Sequence, residues 1–168
     1  MDASEFKALW APWRVQYFSA PRKPDFLLEA AQTTDDRAHL VLVRRRYCFL
    51  IMNAYPYAVG HLMAVPYRKT EDLAQLSEGE WMELWELTTL AQKVLREVTG
   101  AEGFNVGLNL GSCAGASMAT HLHLHIVPRW TGDNNFMAVL DGTRVLPEAL
   151  DAMYERLAVA FTEAQSTA

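Results

Sequence analysis

The run His121-Leu122-His123-Leu124-His125-Ile126-Val127-Pro128-Arg129 limits what this chain can fold into more than any other stretch. Histidines at i, i+2 and i+4, separated by aliphatic residues, carry the period of two that belongs to a half-buried strand. A strand rises about 3.4 Å per residue, so imidazoles on one face follow one another at roughly 7 Å. The leucines and Ile126 then face the core, and three of the five histidines stand in one row at one surface. A lone histidine in a strand is ordinarily a packed or hydrogen-bonded residue. Three in strict alternation beside a loop of small residues call for another explanation, because each buried imidazole carries a desolvation cost. Two chemistries use such a row. Same-face imidazoles can be ligands of an open catalytic zinc, or one can be a nucleophile whose neighbours set its tautomer and protonate a leaving group. Spacing alone leaves both open.

A chain of 168 residues is long enough for one domain with a real core. Its net charge of -5 argues against a general nucleic-acid binder. Cys48 and Cys113 form no CxxC pair and read as reduced thiols of a cytoplasmic protein. The opening Met1–Lys7 has no basic segment followed by an apolar one, and no apolar run has the length of a membrane span, so neither a secretory signal nor a membrane is expected.

Glu5 to Phe18 is dense in aromatics and broken by Pro12, an arm suited to packing across the domain or onto a partner subunit. Residues 19–37 read as loop with a turn of helix over 25–31. His39–Val43 and Tyr47–Asn53 are two strands joined through Arg44-Arg45-Arg46, read as a solvated hairpin tip rather than a phosphate site. Tyr55-Pro56-Tyr57 leads to a third strand, His61–Tyr67. Ser77 to Gly100 is the clearest helix, with a Ser77/Glu80 capping box and a glycine stop. Its apolar face, with Trp81 and Trp85, is wider than one sheet contact needs, so a homodimer is expected, with a tetramer as a further step. Gly103–Leu110 is a fourth strand carrying Asn105 and Asn109 on one face. Gly111–Met118 is a small-residue loop that serves either as a phosphate nest or as a plain turn. Trp130–Phe136 reads as loop, and Pro147 opens a last helix with a Leu150, Met153, Tyr154, Leu157, Phe161 stripe. The expected fold is α+β: an antiparallel sheet of about five strands, one long helix and a C-terminal helix, with the helices on one side. One domain spans 1–168, with an arm at 1–37, a catalytic core at 38–137 and the final helix at 147–163.

The histidine run resembles the signature of the histidine triad (HIT) superfamily. Asn53, Gly60-His61, the block Gly103-Phe104-Asn105-Val106-Gly107-Leu108-Asn109-Leu110-Gly111 and the block Pro128-Arg129-Trp130 with Gly132-Asp133 and Asn135-Phe136 match it too. Leu9-Trp10-Ala11-Pro12-Trp13-Arg14 and Tyr55-Pro56-Tyr57 are similar to the bacterial branch that includes diadenosine tetraphosphate phosphorylases. That resemblance implies that His123 attacks the α-phosphorus of a nucleotide and carries a covalent nucleotidyl group, its other ring nitrogen held by an acceptor such as a backbone carbonyl. It implies that His125 contacts the phosphate and protonates the departing oxygen, that His121 with His61 behind it forms a supporting hydrogen-bond chain, and that Asn109 orients the phosphate. Backbone amides from Gly115 to Ser117 would stabilise the transition state. Asn53 would bind ribose, with Ile51 and Met63 walling the base. No metal ligand is implied and no cofactor is required, although a magnesium-complexed nucleotide is compatible. Many relatives carry an N-terminal CxxC that binds structural zinc. Here that stretch is Pro24-Asp25-Phe26-Leu27-Leu28-Glu29, so the zinc is not expected and His39 need not be a ligand. Other branches have Ser or Thr three residues before the first triad histidine, where this chain has Met118.

The implied activity is cleavage of dinucleoside polyphosphates such as diadenosine tetraphosphate by nucleotidyl transfer, by phosphorolysis to ADP and ATP or by hydrolysis to AMP and ATP. A nucleoside phosphoramidase would use the same triad. From a different class, a nucleotide-binding module could retain the triad idle.

Overall fold

The computed structural model describes residues 25–116, 118–133 and 149–166. The aromatic arm Glu5–Phe18, Ser117, the end of the 130–136 loop and Pro147 lie outside them. Of the two compact units in the chain, the one made of Pro24–Thr131 and Leu146–Ala168 holds every strand and helix described below.

The period-two stretches become strands β1 (Val41–Arg44), β2 (Cys48–Met52), β3 (Leu62–Pro66), β4 (Gly103–Gly107) and β5 (Leu124–Arg129). They form one antiparallel sheet in the order β1-β2-β3-β5-β4, so the strand latest in sequence is inserted beside β3. Among the described residues the α-helices are α1 (Phe26–Gln32), α2 (Glu78–Thr99) and α3 (Leu150–Ser166). On one face of the sheet Cys48, Leu50, Met52, Leu62, Ala64, Leu124 and Ile126 meet Leu84, Leu87, Ala91, Val94 and Leu95 of α2 and Met153, Leu157 and Phe161 of α3. Each such fully buried aliphatic or aromatic side chain contributes roughly 1.5–3 kcal/mol, so this layer dominates the stability of the fold.

The helices do not all lie on one side, as the sequence reading expects. Leu27 and Ala30 of α1 pack with Val41, Phe49, Ile51, Met63 and Val65 on the opposite face, so β2 and β3 are buried on both sides. Asp25 caps α1 by accepting the Leu28 N–H (3.1 Å). Arg44 closes its other end, donating from Nη2 to the carbonyls of Ala30 (2.9 Å) and Thr33 (3.0 Å) and from Nε to Asp36 (2.8 Å). The Arg44 side chain therefore satisfies carbonyls at the C-terminal end of α1 rather than standing in a solvated hairpin tip.

α2 has the expected capping box, with Ser77 and Glu80 bonded reciprocally, and it stops at Gly100 in the left-handed conformation (φ +67°). Arg68 also bonds Glu80, holding that carboxyl down at about 2. β5 starts at Leu124, three residues later than the histidine pattern implies. Pro66 on β3 has no N–H for the ladder, and its carbonyl accepts a bond from the His121 ring, so the Leu122 N–H turns to Thr70 O instead (2.7 Å).

Candidate active site

Cross-strand register puts Gly107, His125, Met63, Ile51 and Val41 in one row across the sheet. Paired residues share a face, and this is the α1 face, opposite α2 and α3. The alternation also holds before β5 begins, since Leu122 joins the α2–α3 core while His121, His123 and His125 turn the other way. The histidines do not line an open surface. His121 is 1% exposed, His123 5% and His125 9%. Ile51 (2% exposed) and Met63 (1%) form the floor beside them, with Phe26, Leu40, Tyr67 and Met118 half-buried around it.

The hydrogen bonds fix where the ring protons sit. The Tyr57 backbone N–H donates to His61 Nδ1 (3.1 Å). A peptide N–H can only donate, so Nδ1 holds a lone pair and the proton of neutral His61 is on Nε2. That Nε2–H donates to His125 Nδ1 (3.0 Å). The proton of neutral His125 is in turn on its Nε2, where the Asn109 amide lies 3.3 Å away. An amide exchanges nitrogen and oxygen by a flip, and this proton pattern requires its oxygen. His123 has the opposite tautomer. Its Nδ1–H donates to the His121 carbonyl (2.8 Å), which leaves a lone pair on Nε2. The two rings meet edge to face with centroids 4.8 Å apart.

Burial pushes His123 below the ordinary histidine range, although its bond to the His121 carbonyl works the other way. Burial, reinforced by His123, pushes His125 down to about 4. Burial therefore favours the neutral form of both rings, one with a bare Nε2 and one with an Nε2–H to donate in a hydrogen bond.

The expected partnership of His61 with His121 is not formed. His61 stands behind His125, and His121 Nε2 donates to Pro66 O (2.9 Å). Asn53 is engaged in holding its own turn: Oδ1 accepts the Tyr55 N–H (2.8 Å) and Nδ2 donates to His61 Nδ1 (3.3 Å). The amides of Ala114, Gly115 and Ala116 are bonded to the carbonyls of Gly111 and Ser112, so this part of the loop closes on itself. Ser117 lies outside the described residues. Asn105 separates from Asn109 and accepts from Arg129 (2.6 Å). His39 bonds the Asp35 carbonyl in its own turn, away from the row.

Three participants escape the sequence reading. Tyr57 stacks on His61 with ring centroids 4.8 Å apart, and a Tyr-Pro-Tyr turn was the only signal for it. Asp25 and Lys69, 44 positions apart in sequence, meet beside His121 (Lys69 Nζ to Asp25 Oδ2, 2.6 Å). Neither belongs to a motif that would single it out. Among the described residues no three His, Cys, Asp or Glu side chains group as a metal site. The carboxylate nearest His121 already holds a lysine ammonium, and 24–29 contains no thiol, so the residues do not fit a structural zinc.

An antiparallel α+β fold carrying three alternating histidines at the start of an inner strand, with a fourth histidine behind them, defines a histidine triad protein. The chain belongs to the HIT family: the HIT domain model matches residues 35–132. It is 42% identical over 155 residues to an AP-4-A phosphorylase of Mycobacterium tuberculosis, covering 87% of this chain and 80% of that protein. It is 30% identical over 93 residues to an asymmetrical bis(5'-nucleosyl)-tetraphosphatase of Schizosaccharomyces pombe, covering 55% of this chain and 50% of that one. A zinc-bound histidine triad family protein from Mycobacterium smegmatis shares the fold, with a TM-score of 0.62, 24% identity, and coverage of 77% of this chain and 88% of that one.

Proposed function

We propose that this protein cleaves dinucleoside polyphosphates at an α-phosphate by phosphorolysis. The observation that carries the reading is the pair of opposed tautomers, a bare Nε2 on His123 beside an Nε2–H on His125. In the first step His123 Nε2 attacks the α-phosphorus, a P–N bond forms, and the P–O bond to the remaining polyphosphate breaks. The leaving oxygen departs as an anion with the electron pair of that bond and accepts a hydrogen bond from His125 Nε2–H. In the second step an oxygen of inorganic phosphate attacks the nucleotidyl-His123, the P–N bond breaks and its electron pair returns to Nε2. Diadenosine tetraphosphate gives ATP in the first step and ADP in the second. The identity with a phosphorylase over most of the chain favours phosphate as the acceptor, whereas the tetraphosphatase likeness covers about half of it.

In this reading Asn109 directs the His125 proton, His61 keeps His125 in its donating tautomer, Asn53 and the Tyr57 amide hold His61, and Ile51 and Met63 underlie the base. The reaction needs no metal for its nucleophile, and structural zinc is absent. Elemental analysis of the purified protein checks the latter, with stoichiometric zinc as the contrary outcome. The protein acts as a homodimer through the outer face of α2, supported by Met82 at 59% and Trp85 at 51% exposure. A cytoplasmic location accords with two free cysteines and a nucleotide substrate. No helix among the described residues is long and apolar enough to cross a membrane.

The test is product analysis on diadenosine tetraphosphate with and without inorganic phosphate and without added metal. ADP plus ATP only when phosphate is present is the expected result. AMP plus ATP regardless of phosphate makes it a hydrolase with the same covalent histidine. No turnover under either condition removes the reading.

A further inference from the structure

We propose that Asp25, at the start of α1, is a positioning residue for the nucleophile, acting through His121; the proposal rests on His123 being that nucleophile. His121 is buried, and its ring is held at one edge only by the Pro66 carbonyl, to which Nε2–H donates at 2.9 Å. The other edge, Nδ1, has no hydrogen-bond partner and points at Asp25 Oδ1, 3.7 Å away. The gap is longer than a hydrogen bond, and the carboxylate faces that edge as its nearest charged neighbour, the two attracting each other.

The same carboxylate is fixed on two other sides. Oδ1 accepts the Leu28 N–H that caps α1, and Oδ2 lies 2.6 Å from Lys69 Nζ in an ion pair that is not an aligned hydrogen bond. Burial works to raise the Asp25 carboxyl, but Lys69, the Leu28 amide and His121 outweigh it and keep it below the ordinary range. These contacts favour the anionic form of Asp25 against His121.

His121 matters because of its backbone. Its carbonyl accepts the Nδ1–H of His123 (2.8 Å), and this bond decides which His123 nitrogen is bare. The segment bearing that carbonyl precedes β5 and is outside the strand ladder. Besides the Leu122 side chain in the core, it is tied by the Leu122 N–H bond to Thr70 O and by the His121 ring, which stands between the Pro66 carbonyl and Asp25. The titratable and charged groups facing this cluster are Asp25 from α1, Lys69 from the segment after β3, and His123 beside it.

Asp25→Ser separates this role from helix capping, because serine caps a helix N-terminus as well as aspartate does but brings no charge to His121. We expect Asp25→Ser to fold, to lose kcat on diadenosine tetraphosphate by on the order of 10–100-fold, and to keep KM within about twofold, with Asp25→Glu recovering most of the loss. We also expect proton NMR of the wild type to show the His123 Nδ1–H as a slowly exchanging downfield signal, lost in Asp25→Ser. This signal is read without any substrate. A signal retained in Asp25→Ser, or full kcat in Asp25→Ser alongside a loss in Asp25→Ala, overturns the proposal and leaves Asp25 as a cap. A wild type with no turnover but with an Asp25-sensitive signal overturns the proposed function and keeps the positioning role.

Discussion

At the scale of the residue, two neighbouring imidazoles of the same sequence type are made different by what each bonds behind it. His123 donates a hydrogen bond from Nδ1 to a carbonyl, and His125 accepts one at Nδ1 from His61, so one ring carries a bare Nε2 and the other an Nε2–H. His123→Ala should lower turnover by roughly 10³-fold or more while nucleotide affinity, measured by calorimetry, stays within a few-fold. His61→Phe leaves His125 Nδ1 without its donor and frees the ring to take the wrong tautomer. A loss of about 10–100-fold in kcat is expected, with KM little changed in steady-state kinetics. The same burial that keeps His125 neutral gives stability a pH dependence. Its folded value is about 4 against an ordinary 6.5, so between those values the unfolded chain takes up a proton that the folded chain excludes. The contribution is fully present above pH ~6.5, is lost as pH falls through that window, and totals on the order of 3 kcal/mol. Urea titrations from pH 7.5 to 4 on the wild type and on His125→Asn should show the wild type losing more.

Elements are locked to one another by polar ties placed where apolar packing ends. Glu83 of α2 accepts the backbone N–H groups of Tyr47 (2.7 Å) and Cys48 (2.8 Å), fixing the β1–β2 turn to the helix. Nearby, a Cβ on Gly79 would stand 2.7 Å from the Tyr47 ring, so the helix start and the hairpin are in direct contact. Glu83→Ala, which orphans those amides, should cost about 1–3 kcal/mol. Gly79→Ala should gain slightly from helix propensity, yet it forces the Tyr47 ring aside. Thermal melts of the two variants should show a clear loss for the first. For Gly79→Ala a smaller change is expected, accompanied by altered near-ultraviolet dichroism from Tyr47.

At the scale of the whole molecule, the sheet is a two-sided wall. α2 and α3 supply the bulk of the burial on one face, and α1 packs on the other, the face that the triad histidines turn to. What this unit leaves uncovered is the outer side of α2, where Trp81, Met82, Trp85 and Leu90 gather. If the proposed homodimer forms through this face, Trp85→Glu should convert it to a monomer in sedimentation velocity at micromolar concentration, with the far-ultraviolet spectrum unchanged. A variant still sedimenting as a dimer would place the interface elsewhere.

The alternating histidines, the capping box at Ser77 and Glu80, and the glycine stop at Gly100 depend on neighbours within a few positions, and the chain alone determined them. The five-strand antiparallel sheet followed, because strand and helix periods are local properties of side-chain placement. Three features were decided only by the tertiary structure. Which histidine backs which depends on β5 lying beside β3, which joins His61 to His125 across 64 positions and not to His121. The second buried face depends on where α1 lands, since a short helix carries too few residues to declare its docking surface. Asp25 and Lys69 meet His121 because the two segments converge after β3. Electrostatic partnership requires only proximity, and proximity between distant segments has no period that a sequence can display.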